Sequence, residues 1–170
     1  MAKKVVFIIA QKDFRDEELL EPKAVLDRRG VVTSVASATR HKAIGKLGTE
    51  LTPNLALAEV EAKNFDAIVF VGGPGATQYF NDLAAHKLAK DFYKAGKIVA
   101  AICIAPSVLG NAGVLIGKTV TAFPSEEENL RNRGADYTGM PVEIDGKIIT
   151  AKEPLAAKEF GEKLAYLLEA

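Results

Sequence analysis

The chain has 170 residues, with 22 basic and 22 acidic side chains and a single cysteine. Zero net charge argues against a nucleic-acid binder, which normally carries a basic excess, and one cysteine excludes an internal disulfide. The apolar run near the N-terminus is too short for a signal peptide, and no run approaches the ~20 residues that a membrane span needs. We therefore expect a cytoplasmic protein without nucleic-acid or membrane partners.

Apolar runs alternate with helical patterns along the chain. Runs without polar alternation predict buried strands over 4–10, 31–36, 66–71 and 97–102. Helices are predicted between and after them, over 16–29, 81–95, 105–112 and 154–168. Pro22 lies inside the first of these helices, where proline disfavours a regular helix and a kink is expected. Asn81 is the expected N-cap of the second.

The last third of the chain adds two local signals. Ser125 and Glu128 have the spacing of a capping box, which predicts a short helix ending near Gly134. Asp145-Gly146 within 142–150 is a strong hairpin signal. Alternating strands and helices with continuous apolar strands predict one α/β domain over 1–170, a flavodoxin-like three-layer sandwich with a mostly parallel central sheet.

Cys103 is the main candidate for chemistry. It follows a predicted strand, precedes a predicted helix, and has alanine two residues before and two after it. A nucleophile elbow needs small residues at those two positions because its turn is sharp and strained. The helix N-terminus should favour the thiolate and lower the pKa of Cys103. The alternative is a buried cysteine that acts as a small hydrophobe.

The glycine-rich loop 72–75 should end a strand near this elbow. It lacks the spacing and the lysine of a phosphate-binding P-loop. The backbone N–H groups of Gly73 and Ile104 could instead form an oxyanion hole beside the sulfur. The alternative is a tight turn that simply needs glycine.

Glu18 is the acid expected to face the protein interior. It shares a helical stripe with Pro22 and Val25, whereas Glu17 and Glu21 lie on a more polar stripe. A buried carboxylate beside a thiolate would repel it. We therefore hypothesise that Glu18 is neutral near pH ~7 and donates a hydrogen bond to the Cys103 thiolate.

These residues resemble the PfpI/DJ-one superfamily, which includes PfpI-type proteases, deglycases and glutathione-independent glyoxalases. The resemblance covers essentially the whole chain and rests on segments 18–22, 71–75 and 101–106 and on the Asp145-Gly146 hairpin. It implies a flavodoxin-like sandwich, like that of the class I glutamine amidotransferases, and a homodimer or higher homo-oligomer. We expect no cofactor. The resemblance also implies that Cys103 is the nucleophile and oxidation site, Glu18 its protonated partner, and Gly73 and Ile104 its backbone donors.

The chain departs from the superfamily in its histidines. Ile104 and Phe123 occupy positions where the protease and deglycase branches have histidine, and segment 152–154 lacks the late histidine of the amidotransferases. His41 and His86 are expected on the surface. Peptide hydrolysis needs a group that delivers a proton to the leaving amine, so this departure disfavours a peptidase.

Three functions use the same cysteine. The first is an enzyme acting on small reactive carbonyls, glyoxalase-like or deglycase-like, through a Cys103 hemithioacetal. The second is a redox sensor or protein-protective module, in which an oxidant converts Cys103 to the sulfinate. The third is a hydrolase of amides or isonitrile-type substrates, such as a PfpI-type peptidase or amidase, and it is the least favoured because of the missing histidine.

Overall fold

Twelve strands and five α-helices alternate in a computed structural model that describes residues 1–170. The strands are β1 (Lys4–Ile8), β2 (Lys12–Phe14), β3 (Val32–Ser37), β4 (Ala43–Gly45), β5 (Glu50–Leu51), β6 (Leu55–Ala56), β7 (Ala67–Phe70), β8 (Ile98–Ile102), β9 (Thr119–Val120), β10 (Asp136–Tyr137), β11 (Val142–Asp145) and β12 (Ile148–Ala151). The helices are α1 (Asp16–Arg28), α2 (Leu83–Lys94), α3 (Pro106–Asn111), α4 (Glu127–Asn132) and α5 (Ala157–Glu169).

The central layer is a seven-stranded sheet in the order β11-β12-β8-β7-β1-β3-β6. Its pairings are parallel except that of β11 with β12, which form the predicted hairpin. Helices α1 and α5 cover one face, and α2, α3 and α4 cover the other. The predicted α/β sandwich with a mostly parallel sheet is confirmed.

The apolar strands follow from this layering. In β1, Val5 and Phe7 pack toward α1 and α5, whereas Val6 and Ile8 pack into the opposite core. Alternate side chains of a strand point to opposite faces, so a strand covered on both sides has no position for a polar residue. Burying each such side chain stabilises the fold by roughly 1.5–3 kcal/mol.

Two local predictions are wrong. The N-cap of α2 is Asp82, whose carboxylate accepts the Ala85 N–H at 3.3 Å, and not Asn81. The hydroxyl of Ser125 does not cap α4. It donates to the Glu126 carboxylate at 2.7 Å instead, because Pro124–Glu126 form a 3-10 turn ahead of the helix.

Helix α1 lies close to α5 at one glycine. A Cβ added to Gly161 would lie 2.7 Å from the Pro22 Cα. Pro22 lies inside α1 and has no N–H for the carbonyl of Glu18 one turn earlier. The tight packing against α5 therefore holds the helical turn that carries Glu18.

The parallel register brings two loops together. Ile8 pairs with Phe70, and Phe70 pairs with Ala101, so β1, β7 and β8 end at one edge of the sheet. The loop after β7 and the turn after β8 are therefore neighbours at the carboxyl edge, where parallel α/β sheets bind ligands. No helix has the length and the apolar composition that a membrane crossing would require.

Candidate active site

Cys103 lies on the strand-to-helix turn that the sequence predicts. Strand β8 is buried throughout and ends at Ile102, and α3 begins three residues after the cysteine. Cys103 itself has a φ of 65°, in the left-handed region that non-glycine residues rarely adopt. Its N–H donates to the Ala151 carbonyl and its carbonyl accepts the Phe123 N–H, at 2.9 and 2.8 Å. These bonds to neighbouring segments hold the strained turn in place.

Glycines 72 and 73 let three segments meet at the sulfur. A Cβ on Gly72 would lie 2.5 Å from the Glu18 Oε1 and 2.7 Å from the Cys103 Cβ. Gly73 has a φ of 100°, and its Cβ would lie 2.3 Å from the Arg15 nitrogen. No side chain fits at either position, so glycine is required here for close approach and not only for the turn.

Two backbone donors face the sulfur. Burial and the charge of Glu18 raise the pKa of the Cys103 thiol, and the N–H groups of Gly73 and Ile104 act to lower it. Neither N–H donates to another group of the chain. Both N–H groups are therefore free, and their role as an oxyanion hole stays a prediction.

Glu18 lies buried beside the cysteine. Its side chain is fully inaccessible to solvent, and neither carboxyl oxygen has a well-aligned hydrogen-bond partner. Burial raises the pKa of Glu18 to about 8, although the Cys103 thiol, Arg15 and the Gly72 N–H act to lower it. The carboxyl group is therefore mostly protonated at neutral pH, as the helical stripe predicts.

The pKa of Cys103 differs from its prediction. Burial, and then the charge of an ionised Glu18, raise the pKa of the thiol to about 12. The prediction of a lowered pKa is wrong, because burial and this repulsion exceed the effect of the two N–H groups. Helix α3 has only six residues, and its dipole is correspondingly weak.

A cavity of about 260 Å³ opens onto the sulfur. All four residues that the sequence proposes for the site line this cavity, together with six others. The ten lining residues are Arg15, Glu18, Lys46, Gly73, Pro74, Cys103, Ile104, Phe123, Ser125 and Pro154. Phe123, at the position of the deglycase-branch histidine, is 41% exposed at the cavity.

Two cations that line the cavity, Arg15 and Lys46, were not predicted from the sequence. Arg15 precedes α1, and its guanidinium pairs with the Glu17 carboxylate through two contacts of 2.9 Å. Lys46 comes from the turn between β4 and β5, two strands too short to predict. Lys46 joins the cavity lining only through contacts between this small sheet and the segment that leads into α1.

A buried carboxylate fixes the turn that carries Lys46. Asp16 is 4% exposed and accepts the N–H groups of Leu47 and Thr49 at 2.8 and 2.9 Å. These hydrogen bonds act to lower the pKa of Asp16, against the opposing effect of burial. An acidic residue in the first turn of a helix is common for electrostatic reasons, so this role of Asp16 could not be predicted from the sequence.

Both histidines lie outside the cavity. His86 on α2 contacts the Phe80 carbonyl through Nε2 at 2.8 Å, and His41 is exposed beyond β3. Neither lines the cavity around Cys103.

The fold and the site together define a class: an α/β sandwich with a cysteine on a strained elbow and a buried glutamate beside it. The sequence pattern of the DJ-1/PfpI family matches residues 3–167. The chain belongs to that family, as the sequence motifs indicate.

Individual relatives agree with this assignment. An uncharacterized protein of Methanocaldococcus jannaschii is 42% identical over 169 residues, 98% of this chain and 82% of the relative. A protein of Pyrococcus abyssi named as a deglycase is 34% identical over 88% of this chain and 90% of its own. The crystal structure of a ThiJ/PfpI domain protein from Brachyspira murdochii superposes with a TM-score of 0.97 at 33% identity, covering 99% of this chain and 97% of that one.

Proposed function

We propose that this chain is a cofactor-independent enzyme that acts on small reactive carbonyl compounds through Cys103, in the manner of a glyoxalase or deglycase. The observation that carries the proposal is Glu18, a buried carboxyl group beside the sulfur with its pKa raised to about 8. A general acid–base group works best when its pKa lies near the operating pH. The deglycase name of the Pyrococcus abyssi relative supports the same class of substrate.

The first step is addition of the Cys103 sulfur to the aldehyde carbon of methylglyoxal. A C–S bond forms, the C=O π bond breaks, and the thiol proton ends on the former aldehyde oxygen. The N–H groups of Gly73 and Ile104 would stabilise the negative charge that develops on that oxygen. The product is a hemithioacetal.

Glu18 would then move a proton between adjacent carbons. In its ionised form, the Glu18 carboxylate takes the proton from the sulfur-bearing carbon, which gives an enediolate. It returns that proton to the neighbouring carbon, while the hydroxyl proton on the sulfur-bearing carbon passes to the neighbouring oxygen. The result is a thioester of lactate on Cys103. Water hydrolyses this thioester and releases lactate and the free thiol, so the sum is methylglyoxal plus water to lactic acid.

A deglycase reaction would share the same covalent adduct. In an amine adduct the carbonyl carbon already bears nitrogen, so attack by Cys103 forms the C–S bond as the C–N bond breaks. The thiol proton passes to the departing amine. Both reactions require Cys103 as nucleophile, and in both Glu18 is the group beside the sulfur that can accept and donate protons.

The test is lactate formation from methylglyoxal by the wild type and three variants. Cys103→Ser should abolish turnover, and Glu18→Gln should lower kcat by about 100-fold or more, the scale of general acid–base catalysis. Glu21→Gln, an exposed carboxylate on the same helix, is the matched control and should retain wild-type kcat. Full activity of Cys103→Ser, or no turnover by the wild type, contradicts the proposal.

A redox function is the second candidate, and the donors around the sulfur favour it too. Two backbone N–H groups and a protonated Glu18 could hold the charged oxygens of a sulfinate on Cys103. Hydrogen peroxide treatment followed by intact-mass measurement tests this reading. A stable gain of two oxygen atoms, absent from Cys103→Ser, together with no methylglyoxal turnover would favour the sensor. A peptidase gains no support, since no histidine lines the cavity.

A further inference from the structure

The cavity at Cys103 is lined by more basic than acidic side chains. Among its ten lining residues Glu18 is the single acid, whereas Arg15 and Lys46 are cations. Arg15 is neutralised by its ion pair with Glu17. Lys46 forms no ion pair and no side-chain hydrogen bond within the chain, so it presents a free positive charge at the cavity.

The position of Lys46 is built into the fold. Its N–H donates to the Phe14 carbonyl at 2.9 Å, which fastens the turn to the segment leading into α1. Asp16 holds the next residues of the same turn through two backbone N–H groups. Gly45 packs so closely that an added Cβ would lie 2.5 Å from the Asp16 Oδ2. The segment that carries Arg15 and Glu18 thus also holds the turn of Lys46.

The nearby acids do not cancel this charge. Glu17 is engaged by Arg15, and Asp16 is turned to the backbone N–H groups of the loop. Glu126, next to the lining residue Ser125, accepts hydrogen bonds from the hydroxyls of Ser107 and Ser125. Lys46 therefore remains available to a ligand.

We propose that this cavity selects carbonyl compounds that carry an anionic group, such as a carboxylate, which Lys46 binds while the aldehyde carbon lies at Cys103. The inference rests on the proposed function in one respect: it takes Cys103 as the group that adds to the carbonyl. Glyoxylate is the smallest member of this class. Its adduct would be the hemithioacetal, with one C–S bond formed and the thiol proton on the former aldehyde oxygen.

The direct test compares two alkylating reagents that differ in charge, iodoacetate and iodoacetamide. Both form the same kind of thioether with Cys103, so the ratio of their rate constants reports charge selection and cancels changes in thiol pKa. We expect a wild-type ratio above that of the urea-unfolded chain. In Lys46→Met the ratio should fall about threefold, the scale of a partly exposed charge pair, and in Lys46→Glu it should fall further.

Lys42→Met is the matched control. Lys42 is an exposed lysine close by, paired with Glu50 at 3.7 Å, and it does not line the cavity. Its removal should leave the ratio unchanged. Because the interaction is electrostatic, 1 M salt should reduce the wild-type ratio toward that of the unfolded chain. A wild-type ratio equal to that of the unfolded chain, or equal ratios in wild type and Lys46→Met, would overturn the proposal.

A second measurement uses the aldehydes themselves. Glyoxylate and methylglyoxal should each slow alkylation of Cys103 by forming a reversible hemithioacetal. We expect glyoxylate to protect at the lower concentration, and Lys46→Met to raise its half-protection concentration relative to that of methylglyoxal. The opposite order would contradict anion selection. Absence of lactate formation would refute the proposed enzyme and would leave these alkylation ratios fully interpretable, so the two failures are distinguishable.

Discussion

Glu18 and Cys103 are neighbouring acidic groups, and the pKa of each depends on the protonation state of the other. An ionised Glu18 raises the pKa of the thiol, and the Coulomb interaction is reciprocal, so a thiolate opposes ionisation of the carboxyl group. The pair therefore loses its two protons in separate steps. In the pH range between these two steps the pair holds one proton. That proton is either on the carboxyl group, beside a thiolate, or on the thiol, beside a carboxylate.

Glu18→Gln should convert this coupled titration into a simple one. Burial and the charge of Glu18 together raise the pKa of Cys103 to about 12. The amide cannot ionise, so the part of this increase that comes from repulsion by Glu18 disappears. The rate of Cys103 alkylation by iodoacetamide should rise with pH in two steps in the wild type. In the variant we expect one step, with a midpoint at least about one pH unit below the upper wild-type step.

Glu21→Gln provides the control for this profile, since it removes an exposed carboxylate from the same helix. Its curve should overlay the wild-type curve. The coupling is refuted when the Glu18→Gln and wild-type profiles coincide.

The sequence predicts the residues whose roles are local. Cys103 follows from its place between a strand and a helix, and Glu18 from its stripe with Pro22 and Val25, both of which are buried. Arg15 and Lys46 could not be predicted as lining residues, because their positions depend on contacts between distant segments. The pKa of Cys103 was mispredicted for a related reason: its burial and its distance from Glu18 are tertiary properties.

At the scale of elements, long apolar strands were predictable and short strands were not. Strands β1, β7 and β8 are buried on both faces, so their sequences are continuous apolar runs. Strands β2, β4 and β5 have two or three residues, and exposed positions interrupt them. These short strands nevertheless form the sheet that carries Lys46 to the cavity.

The contact of α1 with α5 leads to a prediction at this scale. Glycine to alanine inside a helix ordinarily stabilises it by about 1 kcal/mol. Gly161→Ala should instead destabilise the protein by roughly 2 kcal/mol, because the new methyl group overlaps the backbone of Pro22. Since α1 carries Glu18, methylglyoxal turnover should fall as well. Urea unfolding and lactate assays measure the two effects.

Gly110→Ala is the matched control for this overlap. Gly110 is also a helical glycine, but its nearest neighbour is the flexible Leu130 Cδ2 at 3.0 Å, which can shift. We expect a free energy of unfolding within about 1 kcal/mol of wild type. Equal losses for the two glycines would show that the rigid backbone of Pro22 is not the cause.

At the scale of the whole molecule, the proton on Glu18 affects both the chemistry of the site and the stability of the fold. The sheet brings β1, β7 and β8 to a common edge, and packing on the face covered by α1 and α5 leaves Glu18 inaccessible to water. The burial that makes the carboxyl group a usable acid–base catalyst also makes its ionisation costly for folding. A fold optimised only for stability would not bury an unpaired acid there.

The stability of the protein should consequently fall as pH rises from about 5 to 8. An unfolded carboxyl group ionises near 4.5, whereas folding raises the pKa of Glu18 to about 8. Between these values the folded state binds one more proton than the unfolded state, so the stabilising contribution is complete at low pH and is lost as pH rises through the folded pKa. The loss approaches about 1.4 kcal/mol per pH unit and sums to an upper limit of about 5 kcal/mol.

The slope of unfolding free energy against pH is the same whether Glu18 or Cys103 ionises first. Loss of either proton removes the one extra proton that the folded state binds relative to the unfolded state. Urea unfolding of the wild type and Glu18→Gln at pH 5.5, 6.5, 7.5 and 8.5 measures this slope. The difference in unfolding free energy between the two proteins cancels the contributions of the ionisable groups that the substitution leaves unchanged. It should shift steadily in favour of Glu18→Gln as pH increases, whereas a difference independent of pH would mean that Glu18 ionises as readily in the folded protein as in the unfolded chain.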